Sequence, residues 1–217
     1  MKYILSLLLG LILGAITAIA MIVFNPLTLS QSQPLSNADM AFDYSMEASW
    51  VSTHSNRLNI PVVPKGSPLL FENGIRGSLL SSMPLNGETG GAPAAGTRIS
   101  VPSSESGFLR SGLLVDDYWL ISVPGAGTVF MHAVNNQWPL VRDTVVWVDL
   151  LKRKWSASGQ YDPTRGPAAA GAQVVGMTGT FKDLRGVGQE HVSLDSYSGN
   201  LGALHGRLTI RSSAKSN

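Results

Sequence analysis

The sequence predicts a mainly β domain that follows one transmembrane helix. Residues 4–24 form an uncharged and predominantly apolar run, whereas the remainder of the chain contains short runs in which apolar and polar residues alternate. Alternation with a period of two is typical of a strand with one buried face. The 23 glycines and the β-branched and aromatic residues of these runs also favour strands. We therefore expect β structure and no helix after the first segment.

The N-terminal apolar run has the length of a membrane span. At about 1.5 Å per residue, a helix over residues 4–24 is roughly 30 Å long, which matches the hydrocarbon core of a bilayer. A cleaved signal peptide is the alternative, because Ala18-Ile19-Ala20 resembles a cleavage site. The run continues through Phe24, however, and exceeds the ~7–15 apolar residues of a signal sequence. This length favours an uncleaved anchor.

The distribution of positive charge predicts the orientation of the anchor. Lys2 precedes the run, and no lysine or arginine follows it until Arg57. The positive-inside rule then places the N-terminus in the cytoplasm and the remainder in an exported, periplasmic or extracytoplasmic position. We predict an anchor over residues 1–25, a linker over 26–40, a β domain over 41–213 and a tail over 214–217. Asn25-Pro26 ends the helix.

Composition excludes several classes of function. The formal net charge of +2, with 14% charged residues, is too balanced for a nucleic-acid-binding protein. The chain has no cysteine, and its four histidines lack the spacing of a metal site, so neither disulfides nor a bound metal is expected. No phosphate-binding loop or nucleophile elbow occurs, and no cofactor is predicted. Gly10 and Gly14 are spaced for packing against a membrane-protein partner, a pattern that also arises by chance.

The alternating runs predict eight or nine short strands, a number that fits both a sandwich and a closed barrel. Residues 84–96 are expected to form a flexible loop because they are rich in glycine, proline and alanine. Turns are expected at residues 125–127 and 162–167. The predicted strands cover residues 42–50, 69–80, 113–123, 128–134, 142–151, 154–161, 173–178, 187–194 and 206–211.

The segment GMTGTFKDLRG over residues 176–186 resembles the GTG-x-F-x-x-A-R-G hairpin corner of the allene oxide cyclase and dirigent-protein barrels. Met177 and Leu184 depart from the small residues of that pattern, and the resemblance covers residues 173–212 only. It implies an antiparallel eight-stranded barrel with an apolar cavity. It also implies a protein that cyclises or orients hydrophobic oxygenated substrates without a cofactor. The residues that match the pattern are Gly176, Thr178, Gly179, Phe181, Arg185 and Gly186.

Glu190 is the first candidate for acid–base chemistry. It shares a strand face with Val192 and Leu194, so it lies inside the barrel if that apolar face is internal. Burial would raise the pKa of its carboxyl group and suit it to proton transfer. The alternative is a solvent-exposed glutamate at the end of a strand.

The Asp116-Asp117 pair supplies a second candidate, since consecutive strand residues face opposite sides and one aspartate of a central strand must point inward. Asp117 shares its face with Trp119, whereas Asp116 shares its face with Tyr118. An inward aspartate near Tyr161 or Arg76 could hold a ligand carbonyl or hydroxyl group. On an edge strand it would instead discourage aggregation. The candidate catalytic residues are therefore Glu190, Asp117 and Tyr161, and the candidate ligand-binding residues are Trp119, Arg76, Trp155 and Tyr118. The aromatic members could equally fill the barrel or line its rim.

These observations predict a membrane-anchored, exported barrel that binds or positions a lipophilic small molecule. One alternative is a cofactor-independent cyclase or isomerase that uses Glu190, an aspartate and Tyr161. The other is an accessory subunit whose helix docks in a membrane complex and whose barrel is a scaffold.

Overall fold

The computed structural model of the chain describes residues 2–24, 39–47, 79–87, 93–106, 112–150, 157–164, 172–198 and 201–213. One long helix, α1, runs over Lys2–Phe24 and precedes the strands. A short helix, α2 (Trp138–Val141), continues into a π-helical segment (Arg142–Leu150). The strands are β1 (Met40–Glu47), β2 (Leu79–Gly87), β3 (Ala94–Pro102), β4 (Leu114–Val123), β5 (Gly127–Asn136), β6 (Ala157–Tyr161), β7 (Ala172–Gly176), β8 (Arg185–Ser198) and β9 (Leu201–Ser212).

Eight strands close into an antiparallel barrel, which confirms the predicted fold. The ring runs β8-β7-β5-β4-β3-β2-β1-β9, and pairing of β8 with β9 closes it. Strand β8 is long enough to pair with two strands along one of its edges. Its first residues pair with β7 and its last residues with β6. Strand β6 therefore lies beside the ring as a ninth strand.

The alternation of the strands separates an interior face from an exterior face. On β4, Asp117, Trp119 and Ile121 point inward and are fully buried, whereas the intervening side chains are more exposed. Burial of a large apolar side chain, such as that of Ile121, stabilises a fold by about 1.5–3 kcal/mol. The interior is therefore the hydrophobic core of the domain. Its fully buried apolar side chains include Leu85, Trp119, Ile121, Val129, Met131, Tyr197, Leu208 and Ile210.

Helix α1 is apolar and long enough to cross a membrane. Its span Tyr3–Met21 has a mean hydropathy of 2.5, and none of it is buried against the described part of the protein. The hydroxyl group of Thr17 donates to the carbonyl oxygen of Leu13 at 2.8 Å, so this polar group is satisfied within the helix.

The strand predicted over residues 142–151 is wrong, because this region is helical. Leu140, Thr144 and Val148 recur at every fourth residue and are all buried, which forms one helical face. Pro139 lies in the first turn, where a missing N–H costs nothing. The hydroxyl group of Thr144 donates to the carbonyl oxygen of Leu140 at 2.7 Å. The run of β-branched residues in this segment suggests a strand, but the spacing of its buried residues is helical.

The flexible loop predicted over residues 84–96 is wrong at both ends. Residues 84–87 belong to β2 and residues 94–96 to β3, and Pro84 pairs with Ala95 in the ladder. Gly96 provides space for Leu85, since a Cβ atom on Gly96 would lie 2.9 Å from a Leu85 methyl group. The strand predicted over residues 69–80 lies outside the described residues apart from its last two positions, which begin β2.

The glycine-rich segment after β7 packs on the turn between β4 and β5. A single 3₁₀ turn, Gly179–Phe181, follows β7. The N–H of Thr180 donates to the carbonyl oxygen of Ala126 at 2.7 Å. Gly179 has a φ of +64° and lies so close to Ala126 that a side chain would collide with its backbone. The segment therefore fixes one end of the barrel.

Candidate functional site

A buried arginine lies at the centre of a polar group inside the barrel. Arg98 points inward from β3 and is 2% exposed. Its Nε and Nη2 atoms donate to the two oxygens of Asp117 at 2.9 and 2.6 Å. Its Nη1 atom donates to Oε1 of Glu190 at 3.0 Å. One guanidinium group therefore binds two carboxylates from different strands of the barrel, and it binds Asp117 in a bidentate manner.

Four further residues complete the arrangement, which we call the arginine cluster (Tyr44, Arg98, Ser100, Asp117, Asn135 and Glu190, with Thr164 at its edge). The amide nitrogen of Asn135 donates to Oδ2 of Asp117 at 2.6 Å and to Oε2 of Glu190 at 2.7 Å. The Tyr44 hydroxyl group donates to Glu190, and the Ser100 hydroxyl group donates to Asp117. The backbone N–H of Glu190 donates to the Thr164 hydroxyl oxygen at 2.8 Å.

Gly206 allows Tyr44 to reach the cluster. The two residues are directly opposed on β1 and β9. A Cβ atom on Gly206 would overlap the Tyr44 ring, so any side chain there would displace the ring. On its other side Tyr44 packs against Trp119, with a distance of 5.3 Å between ring centroids. Arg98 lies 5.3 Å from the centroid of the same indole, within the range of a cation–π contact.

One carboxyl group of the cluster, that of Glu190, has a raised pKa and therefore holds its proton more tightly than an exposed glutamate does. Burial raises the pKa of Glu190, and the nearby Asp117 carboxylate adds to this effect, against the opposing influence of Arg98, Tyr44 and Asn135. Burial, together with Glu190, also raises the pKa of Tyr44 well above its ordinary value, so the phenol remains a donor. Burial by itself would lower the pKa of Arg98, but the two carboxylates raise it.

Two buried polar atoms at the cluster have no hydrogen-bond partner within the described part of the chain. They are Nε1 of Trp119 and Oδ1 of Asn135, and both residues are fully buried. Buried polar groups are nearly always paired, and an unpaired one costs about 1–3 kcal/mol. One atom is a donor and the other an acceptor, so a molecule with a carbonyl and a hydroxyl group could satisfy both.

Three of the predicted site residues lie together in this cluster or against it. Glu190 is inward and fully buried, so the alternative of a strand-end glutamate in solvent is wrong. Asp117 also points inward from a central strand, which excludes the edge-strand alternative. Trp119 contacts both Arg98 and Tyr44. The catalytic and ligand-binding roles of these residues stay predictions.

The other predicted site residues do not join the cluster. The Tyr161 hydroxyl group donates to Asp143 of the π-helical segment at 3.1 Å, and burial followed by this carboxylate raises the pKa of Tyr161. Tyr118 points outward because adjacent residues of β4 face opposite sides of the sheet. Its ring stacks on that of His132, with 4.7 Å between the ring centroids. Arg76 and Trp155 lie outside the described residues.

Sequence reasoning missed the central residue, Arg98. Its strand, β3, begins inside the segment predicted as a flexible loop. In this strand polar side chains face inward and an apolar side chain faces outward, which is the reverse of the usual pattern. Ile99 faces outward and is 42% exposed, whereas Arg98 and Ser100 face inward. The sequence signal that could have identified the strand is the alternation itself, but only the closed barrel decides which face is internal.

We expect the contribution of Glu190 to stability to fall as pH rises above about 4.5, the ordinary pKa of a glutamate side chain. Folding raises the pKa of Glu190, so the folded state binds the proton more tightly than the unfolded state. Stability from this group is fully present below the unfolded pKa and is lost as pH rises through the folded pKa. A tenfold difference in proton affinity between the two states corresponds to about 1.4 kcal/mol. Chemical denaturation as a function of pH measures this loss.

Glu190→Gln should remove this contribution, so the difference in unfolding free energy between wild type and variant should change with pH. Glu105→Gln removes an exposed carboxyl group in place of a buried one and serves as the comparison. Parallel profiles for wild type and Glu190→Gln would show that the pKa of Glu190 does not change on folding.

Comparisons of the chain with protein-family models, curated proteins and solved structures gave no match. The resemblance to allene oxide cyclase and dirigent barrels therefore stays a prediction, while the eight-stranded closed barrel stands on the strand pairing itself.

Proposed function

We propose that this chain is a membrane-anchored protein whose exported barrel binds a lipophilic small molecule that carries oxygen groups. Helix α1 remains uncleaved, its N-terminus lies in the cytoplasm, and the barrel lies on the periplasmic or extracytoplasmic side. The arginine cluster provides the polar end of the binding site. The observation that carries the proposal is that two buried side-chain atoms at the arginine cluster, Nε1 of Trp119 and Oδ1 of Asn135, have no hydrogen-bond partner within the described residues.

The chemistry of these two atoms indicates what the ligand must offer. The indole N–H needs an acceptor, such as a carbonyl oxygen, and the amide oxygen needs a donor, such as a hydroxyl group. Glu190, with its raised pKa, and the Tyr44 phenol lie beside them. A ligand with polar groups at one end would therefore form hydrogen bonds to the cluster without leaving a buried group unpaired.

The surroundings of the cluster favour a ligand that is otherwise apolar. The barrel interior outside the cluster is hydrophobic, with fully buried Ile121, Met131 and Leu208 on three of its strands. A molecule that fits such surroundings is poorly soluble in water and concentrates in membranes. An anchor of the length of α1 would hold the barrel at the membrane that contains this molecule.

Trp119→Phe tests the proposal because it removes the indole N–H and keeps an aromatic ring. A hydrogen bond of this kind contributes about 0.5–1.5 kcal/mol, so we expect ligand affinity to fall by up to roughly tenfold. The measurement is native mass spectrometry of the full chain extracted from membranes in mild detergent, which records the fraction of protein that carries a small molecule.

Tyr118→Phe is the matched control, since it removes a polar aromatic atom from the neighbouring residue on the outer face. It should retain the wild-type fraction of bound molecule. Equal occupancy in Trp119→Phe and wild type would contradict the proposed contact. Wild-type protein that carries no small molecule would favour a purely structural role for the cluster, as in the scaffold alternative.

A further inference from the structure

The outer surface of the barrel carries an apolar face on one side. Six of its residues are directly opposed across neighbouring strands and form two rows, and Met177 follows the last strand of the second row. Leu80 of β2 is opposite Ile99 of β3, which is opposite Tyr118 of β4. In the adjacent row Leu120 is opposite Phe130, and Phe130 is opposite Val175. We define the apolar face as Leu80, Ile99, Tyr118, Leu120, Phe130, Val175 and Met177.

These side chains are contiguous and largely unshielded. Leu80 is 47% exposed, Leu120 41% and Met177 54%. The described outward-facing residues of β2, β3, β4, β5 and β7 include no lysine, arginine or glutamate, and Asp116 is the one aspartate among them. Its carboxylate lies 3.3 Å from His132. Scattered apolar residues are normal on a protein surface, but a continuous apolar patch marks an interaction site.

The opposite side of the barrel is polar. A groove of about 510 Å³ lies there across β1, β9, β8 and β6. Arg207 forms two hydrogen bonds to Asp43 at 2.7 and 3.0 Å across this surface. The barrel therefore has an apolar face and a polar face on opposite sides of the ring. The side chains of the polar face include Asp43, Ser45, Asn86, Gln160, His191, Ser193, His205 and Arg207.

The apolar face extends to the end of the barrel at which the chain from α1 enters. Asp39 is held at this end, where its carboxylate accepts from the backbone N–H of Ser212 at 2.6 Å and its N–H donates to Ile210 at 2.9 Å. Strands β1 and β8 both start at this end, because their first residues pair with the last residues of β9. Met177 begins the connection from β7 to the start of β8 and therefore lies at the same end. The apolar face and the entry of the chain therefore share one end of the barrel.

We propose that the apolar face lies on the surface of the bilayer that holds α1, with Lys182 and Arg185 among the lipid headgroups. This inference rests on the proposed membrane anchor. Only 14 residues, 25–38, separate Phe24 from Asp39. At no more than about 3.6 Å per residue they keep the barrel within roughly 50 Å of the membrane, so contact with lipid is effectively intramolecular.

The charge and the apolar area of this side of the barrel both favour contact with a lipid bilayer. Removing apolar surface from water is favourable, and the five most exposed residues of the face are aliphatic or methionine. Lys182 and Arg185 are exposed beside the face and outnumber the one acidic residue between them, Asp183. Basic side chains near a membrane surface are attracted by anionic lipid headgroups. The polar face, with its paired charges, then faces water.

Site-directed spin labelling tests the orientation, and the absence of native cysteine allows one label per chain. The full chain is reconstituted into vesicles of phosphatidylcholine and phosphatidylglycerol as Leu120→Cys, Val175→Cys, Ser45→Cys or Ser193→Cys. We expect labels at 120 and 175 to collide readily with oxygen and to lose access to a water-soluble nickel chelate. Labels at 45 and 193, on the polar face, should remain accessible to the chelate and serve as controls.

Three results would overturn the inference. Access to the nickel chelate at 120 and 175 equal to that at 45 and 193 would place the apolar face in water. Magnetic coupling between labels at 120 of two chains would indicate a second copy as the occupant. Recovery of the barrel in the aqueous fraction without α1 would overturn the anchor, and the inference with it. The first two results leave ligand binding and the effect of Trp119→Phe unchanged, so they are distinguishable from failure of the proposed function.

Discussion

Replacing Arg98 with methionine is expected to lower the free energy of unfolding by about 3–5 kcal/mol. The methionine would fill a similar volume, but Asp117 and Glu190 would lose the guanidinium group that lies 2.6 and 3.0 Å from their oxygens. Both carboxylates are fully buried, so water cannot replace the lost partner. Removal of one member of a buried ionic group therefore costs much more than removal of one member of an exposed pair.

Chemical denaturation of the full chain in detergent measures this effect. Arg207→Met is the matched control, because Arg207 also pairs with an aspartate in a bidentate manner but is exposed. We expect a loss of about 0–1 kcal/mol there. Combining Arg98→Met with Asp117→Asn and Glu190→Gln should recover part of the stability, since no buried charge then remains in the cluster. An equal, small loss for Arg98→Met and Arg207→Met would show that the cluster is not desolvated.

Gly176→Ala is expected to destabilise the barrel by about 3 kcal/mol, at the upper end of the usual cost of overpacking. A Cβ atom at this position would overlap the carbonyl oxygen of Phe181 and would lie 2.9 Å from Cβ of Leu184. The closest of these atoms belongs to the backbone, so the 3₁₀ turn itself would have to move. That turn packs on the loop between β4 and β5, and its displacement would disturb both connections.

The thermal midpoint and the denaturant midpoint of the variant both report this loss. Gly125→Ala is the comparison, since a Cβ atom at Gly125 would have no heavy atom within 4 Å, although the residue has a φ of +76°. We expect about 1–2 kcal/mol there, from the strain of the left-handed conformation alone. A smaller effect at Gly176 than at Gly125 would contradict the close packing of the 3₁₀ turn.

In the strands that were predicted correctly, the apolar residues of the alternating pattern are the ones whose side chains are buried. In β1, Phe42 and Tyr44 are buried and Ser45 is exposed, as their period of two predicts. Glu190 could also be identified, because its neighbours Val192 and Leu194 indicate which face of β8 is internal. In these elements the local pattern and the tertiary environment point to the same face.

The remainder of the cluster could not be predicted, for two physical reasons. Arg98 lies inside the barrel while Ile99 is exposed, so hydrophobicity assigns the wrong face of β3. The burial of an arginine is possible only because two carboxylates from β4 and β8 neutralise it, and their positions depend on closure of the ring. Tyr44 joins the cluster only because Gly206, 162 residues away in sequence (206 minus 44), lies opposite it.

The sequence by itself determined the apolar helix over residues 4–24, the β class of the domain and most of its strands. These features depend on local composition and on the period of alternation, which act within one segment. Only the tertiary structure decided that the ring closes, that residues 142–150 are π-helical, and that Arg98 joins Asp117 and Glu190. Each of these depends on contacts between residues far apart in the chain, whose free energies a local pattern does not contain.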